Sequence, residues 1–62
     1  MIAKSYEDFC TREVSACATS LRSQGVDALV ECLTRRMREH FGSSYDEKVG
    51  SEVARKIALN YY

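Results

Sequence analysis

Val26-Asp27-Ala28-Leu29-Val30-Glu31-Cys32-Leu33-Thr34-Arg35-Arg36-Met37-Arg38-Glu39-His40-Phe41 is the most regular stretch of the chain. Its apolar residues, Val26, Leu29, Val30, Leu33, Met37 and Phe41, recur at steps of three and four. That spacing puts them on one face of an α-helix. Glu31 and Arg35 make an i,i+4 pair in the favourable order. Arg35, Arg36, Arg38 and His40 crowd the C-terminal half, where the helix dipole favours positive charge. Gly25 and Gly42 each follow an amphipathic stretch and suit a helix C-cap, so they divide the chain into three helices.

The stretches on either side keep the helical period. Over 5–24 the apolar positions are Tyr6, Phe9, Cys10, Val14, Cys17, Ala18 and Leu21. Ser5 with Asp8 three residues on resembles a capping box. Thr11, Ser15, Thr19, Ser20 and Ser23 make this the weakest helix by propensity, so it depends on packing. Over 44–60, Ser44 and Glu47 again match a capping box. Val49, Val53, Ile57 and Tyr61 form one stripe, and Gly50, Ala54 and Ala58 form an adjacent stripe of small residues. A glycine inside a helix costs about 1 kcal/mol relative to alanine, which a close helix contact could offset. No stretch alternates like a half-buried strand. The expected fold is all-α, a single domain over 1–62 with helices at about 5–24, 26–41 and 44–60.

Sixty-two residues bury only a marginal core, and chains this short usually recruit a disulfide, a metal or a partner subunit. The three cysteines are Cys10, Cys17 and Cys32. Cys10 and Cys17 on one helix lie about 10.5 Å apart along its axis. A disulfide needs Cα atoms within about 7 Å, so that pair cannot close. We therefore expect free buried thiols and completion of the fold by a homodimer. Nine basic and nine acidic residues cancel, so no global field draws nucleic acid or anionic membrane. No apolar run approaches the ~18 residues of a membrane span. The N-terminal Met-Ile-Ala-Lys-Ser-Tyr-Glu-Asp lacks the apolar stretch of a signal peptide, and a cytoplasmic location is expected. The chain has no proline, linker, low-complexity tract or internal repeat.

Chemistry is sparse. His40 is the single histidine, and there is no phosphate loop, HExxH pattern or nucleophile elbow. The chain is not expected to be an enzyme, to hold a cofactor or to take a small-molecule substrate. Cys10, Cys17, Cys32 and His40 are spaced too widely for a structural zinc site, which brings its ligands in close pairs. Nucleic acid is the main rival to a protein partner, because Arg35-Arg36-Met37-Arg38 could contact phosphates. A helix-turn-helix wants a small residue four before its turn glycine and apolar residues one and six after it. With Gly42 as the turn, those places hold Arg38, Ser43 and Lys48, and all fail; with Gly50 they hold Asp46, Ser51 and Lys56, and all fail; with Gly25 only Val26 fits.

Gly25-Val26-Asp27-Ala28-Leu29 followed by Leu33-Thr34-Arg35-Arg36-Met37 resembles the first helix of DinI-type proteins. Those are small damage-inducible modulators of the bacterial recombinase, often carried by prophages. The resemblance covers residues 25–41. That family sets strands around this helix and ends in a strongly acidic helix. Residues 5–24 and 44–60 here read as helices, and the last is charge-balanced, so the family's fold and recombinase activity do not transfer. Length, helical density and lack of chemistry are also similar to small prophage-encoded regulators of the antirepressor type. That likeness implies a protein that binds a repressor and removes it from its operator.

The expected function is occlusion of a protein partner. Arg35, Arg36 and Arg38, with Tyr45 and Tyr62 as aromatic anchors, are the expected partner-binding residues. Gly50, Ala54, Ala58 and Tyr61 are the expected self-association surface, the alternative being that the small-residue strip receives the first helix within the same chain. In that arrangement the Val49-Val53-Ile57 ridge faces the chain's own core. A nucleic-acid-binding regulator and a structural subunit of a larger assembly are the alternatives.

Overall fold

The computed structural model describes residues 2–21 and 25–61. They form three helices: α1 (Ile2–Leu21), α2 (Val26–Phe41) and α3 (Glu47–Tyr61), with a 3₁₀ turn at Gly42–Ser44. No strand occurs among the described residues, and the all-α expectation holds.

The three helices pack against one another pairwise, and α2 supplies three of the largest fully buried side chains. Leu29, Leu33 and Met37 on its apolar face are fully buried, and Val26, Val30 and Phe41 line the margins. Burying each of the three stabilises by roughly 1.5–3 kcal/mol, as an upper estimate. The helix runs over 26–41 as its periodicity predicts. It stops at Gly42, whose φ of 60° is easy only for glycine and whose N–H bonds back to the Arg38 carbonyl. Gly25 stands at the N-cap of α2, and its carbonyl accepts the Leu29 N–H at 3.3 Å; its expected role as the C-cap of the helix before it falls outside the described residues.

Helix α1 lies antiparallel to α2. Phe9 meets His40, Cys10 meets Met37, Glu13 meets Arg36, and Cys17 is bonded to Cys32, so advancing along α1 means retreating along α2. The buried residues of α1 are Tyr6, Phe9, Cys10, Val14, Cys17 and Ala18, the apolar stripe read from the sequence. The helix begins at Ile2, earlier than the capping box suggested, and Ser5 lies inside it. Nothing over 2–5 breaks a helix, since neither proline nor glycine occurs there. The expected end at Gln24 falls outside the described residues.

Helix α3 returns antiparallel to α2. Arg38 pairs with Glu47 at 2.7 Å at one end of this seam, and Asp27 with Arg55 at 3.6 Å further along it. The cap of α3 is Asp46 rather than Ser44. Ser44 closes the 3₁₀ turn and Tyr45 is extended, with φ −68° and ψ 128°. The Asp46 carboxylate then accepts the Val49 N–H at 3.2 Å, and its carbonyl accepts the Gly50 N–H at 2.8 Å.

The free-thiol expectation is corrected by the Cys17–Cys32 disulfide, which joins α1 to α2 across a Cα separation of 6.0 Å. The geometric objection to Cys10–Cys17 stands, but it does not reach a pair on two different helices. Cys10 remains a buried free thiol, its Sγ 3.5 Å from the Met37 sulfur. Burial pushes that thiol from 9.0 up to about 11.

Candidate functional site

The three arginines of α2 do not form one patch. Arg36 turns toward α1 and bonds the Glu13 carboxylate at 2.7 Å. Arg38 turns toward the start of α3, bonds Glu47 at 2.7 Å and lies over the Tyr45 ring, 5.8 Å from its centroid. Arg35 is exposed on the outer face between these two directions. Helical steps of about 100° per residue explain the divergence. The Glu31–Arg35 ion pair expected from their spacing is not among those formed by the described residues. Each exposed pair contributes at most about 1 kcal/mol, so these side chains remain available to exchange partners.

Below Arg38 lies an aromatic cluster joining all three helices. Tyr6 of α1 packs 4.7 Å from the Phe41 ring and 5.8 Å from the Tyr45 ring, centroid to centroid. Phe9 packs against Phe41 at 5.7 Å and carries the exposed His40 ring at 4.7 Å. The Tyr6 hydroxyl accepts the Asp46 N–H at 2.7 Å and donates to the Ser44 carbonyl at 3.3 Å. Tyr45, expected to anchor a partner, is instead half-buried within its own chain. Its ring lies against Gly50, where a Cβ would come within 2.7 Å of the ring's Cζ. Its hydroxyl is buried with no hydrogen-bond partner at normal geometry. Burial raises its pKa above the usual phenol value, while the Arg38 charge pulls the other way.

The small-residue strip lies inside the single chain, as its intrachain alternative has it. Gly50, Ala54 and Ala58 are all buried within the single chain, the two alanines completely. Of the neighbouring ridge, Val53 is buried, whereas Val49 and Ile57 are only partly so and Tyr61 is 49% exposed. The two stripes have therefore exchanged roles: the small one faces the core and the larger one lies at its edge. At Gly50 the space a side chain would take is filled by the Tyr45 ring, and that packing offsets the helical glycine. Tyr61 is the one member of the expected self-association set left at the surface. Tyr62 lies outside the described residues.

Sequence reasoning missed Leu59, which is 57% exposed on α3 next to the buried Ala58. Leu59 and Tyr61 are the large hydrophobic side chains left exposed among the described residues. A leucine out of register with both apolar stripes was the available signal. No group of three His, Cys, Asp or Glu side chains among the described residues is placed to share a metal ion. No described helix is long and apolar enough to cross a membrane.

No family model, curated protein or solved structure matches the chain.

Proposed function

We propose that this chain is a small helical regulator that binds a protein partner and occludes part of its surface, without catalysing a reaction. The observation that carries the reading is the exposure of Leu59, 57% open next to the fully buried Ala58, with Tyr61 exposed on a different face of the same helix end. Tyrosine is enriched at protein interfaces because its ring buries area while its hydroxyl keeps a polar contact. Arg35 and the exposed halves of the Arg36 and Arg38 pairs add charge that steers an encounter. The likeness to small prophage regulators makes a transcriptional repressor the first partner to test, with its release from an operator as the outcome. Association between copies enters this reading only through Tyr61, since Gly50, Ala54 and Ala58 are already covered.

Binding of nucleic acid through Arg35, Arg36 and Arg38 is the competing reading. Two of these three already face a carboxylate at 2.7 Å, and their directions diverge. A phosphate backbone would have to displace both partners to engage them together. The deciding experiment uses the tagged chain as bait in an extract of its own organism, beside a Leu59→Ser/Tyr61→Ser variant. A protein retained by the native chain and lost by the variant supports the proposal. Equal retention by both, or retention of nucleic acid alone, contradicts it.

A further inference from the structure

We propose that the Cys17–Cys32 disulfide is a redox latch: reduction by a small cellular thiol releases the C-terminal half of α1, residues 13–21, from α2 while the aromatic end of the molecule stays closed. The proposal does not depend on the partner-binding reading.

The two halves of α1 are held very differently. Tyr6, Phe9 and Cys10 bury two large rings and a thiol, and the Tyr6 hydroxyl bonds the turn before α3 twice. Beyond residue 12 the described buried side chains are Val14, Cys17 and Ala18, all small. Glu13–Arg36 is an exposed ion pair and holds little. Thr19 bonds back to the Ser15 carbonyl at 2.8 Å, a contact that slightly weakens a helix. Among the described residues of this half, the covalent bond is therefore the main anchor.

Access fixes the order of the exchange. Cys17 is fully buried and Cys32 only partly, so an incoming thiolate attacks the Cys32 sulfur. The Cys17–Cys32 bond breaks, Cys17 leaves with the electron pair and takes a proton, and Cys32 carries a mixed disulfide. A second small thiol displaces Cys32 as its thiol. The protein disulfide is reduced to two thiols and two small thiols are oxidised to one disulfide. Cys10 does not compete, because it is fully buried against the Met37 sulfur and holds its proton, whereas exchange needs a thiolate. Undocking of residues 13–21 uncovers the α2 surface around Cys32.

Hydrogen exchange on the native chain, oxidised and then reduced with glutathione, tests this. Amides over 15–21 are expected to lose about a hundredfold protection, the constraint expected of a closed loop this long, while those over 6–12 and in α3 keep theirs. A Cys17→Ala/Cys32→Ala variant should show the reduced pattern without added thiol. Unchanged protection on reduction, a uniform loss along the whole chain, or a variant protected like the oxidised protein would each overturn the proposal. So would a chain whose mass in an oxidising glutathione buffer retains both hydrogens.

Discussion

The Tyr6 hydroxyl takes the backbone N–H of Asp46 at 2.7 Å, forty residues away, so a buried side chain of α1 fixes the residue that starts α3. The same hydroxyl donates to the Ser44 carbonyl at 3.3 Å. One phenol thus satisfies two backbone groups of a turn that the helices themselves cannot serve. Tyr6→Phe keeps the ring and removes both bonds. It should cost about 1–3 kcal/mol, because a partly buried N–H and carbonyl lose their partner. At this chain length each kcal/mol lowers Tm by about 4–8 °C. Thermal unfolding followed by circular dichroism measures it, and a Tm unchanged by the substitution would refute this role.

Asp46 caps α3, so Asp46→Ala should destabilise by about 1 kcal/mol and Ser44→Ala by much less. Urea unfolding of the two variants checks the order. The reverse order would restore the capping box that Ser44 and Glu47 suggest in the sequence.

Gly50 faces the Tyr45 ring, and an added Cβ would overlap it. Gly50→Ala gains about 1 kcal/mol in helix propensity but must push the ring off Tyr6 and from beneath Arg38. We expect net destabilisation in the native chain and stabilisation in a Tyr45→Ala background. A double-mutant cycle should give a coupling above about 1 kcal/mol. Additive effects would show that the ring does not occupy the space above Gly50.

Ala54 is completely buried within the chain. Ala54→Leu should cost about 1–3 kcal/mol by overpacking and lower Tm equally at every protein concentration. Sedimentation and melting across a dilution series check this. A mutant that stays as stable as the native chain, or loses stability only when dilute, would return the strip to a subunit interface.

The Cys10 thiol is raised from 9.0 to about 11 by burial, so the folded state holds its proton where the unfolded state releases it. The unfolded chain therefore binds fewer protons between these values, and stability falls as pH rises through them. Below pH 9 the contribution is fully present. The Cys10→Ala variant should show a shallower loss of stability from pH 9 to 11 than the native chain. Equal slopes would mean the thiol is not desolvated.

Much of this fold is legible from residue spacing. The α2 face needs only its period, since Leu29, Leu33 and Met37 have no other place to go. The buried face of α1 follows for the same reason. Spacing within one helix does not say which helices meet, and this is where the reading failed. Cys17 lies eight residues before Gly25 and Cys32 seven after it, so an antiparallel pair folding at that glycine sets them opposite each other. A distance along one helix constrains only cysteines that share it, and Cys17 and Cys32 do not. The orientation of α3 was harder. Its two stripes are adjacent, and choosing between them needs the knowledge that Tyr45 packs on Gly50. The arginine cluster is contiguous in sequence but splits in space, because neighbours on a helix point about 100° apart.

The central claim is that this chain engages a protein through an apolar contact centred on Leu59, near the end of α3. The most direct measurement is the affinity for the retained partner, and for duplex DNA, across a salt titration from 50 to 200 mM (roughly the range over which multi-phosphate contacts lose about 10³–10⁵ in affinity). The account predicts a protein complex that weakens little over this range and loses most of its affinity on Leu59→Ser/Tyr61→Ser. Tighter binding to DNA, falling steeply with salt and abolished by Arg35→Glu/Arg36→Glu/Arg38→Glu, would contradict it.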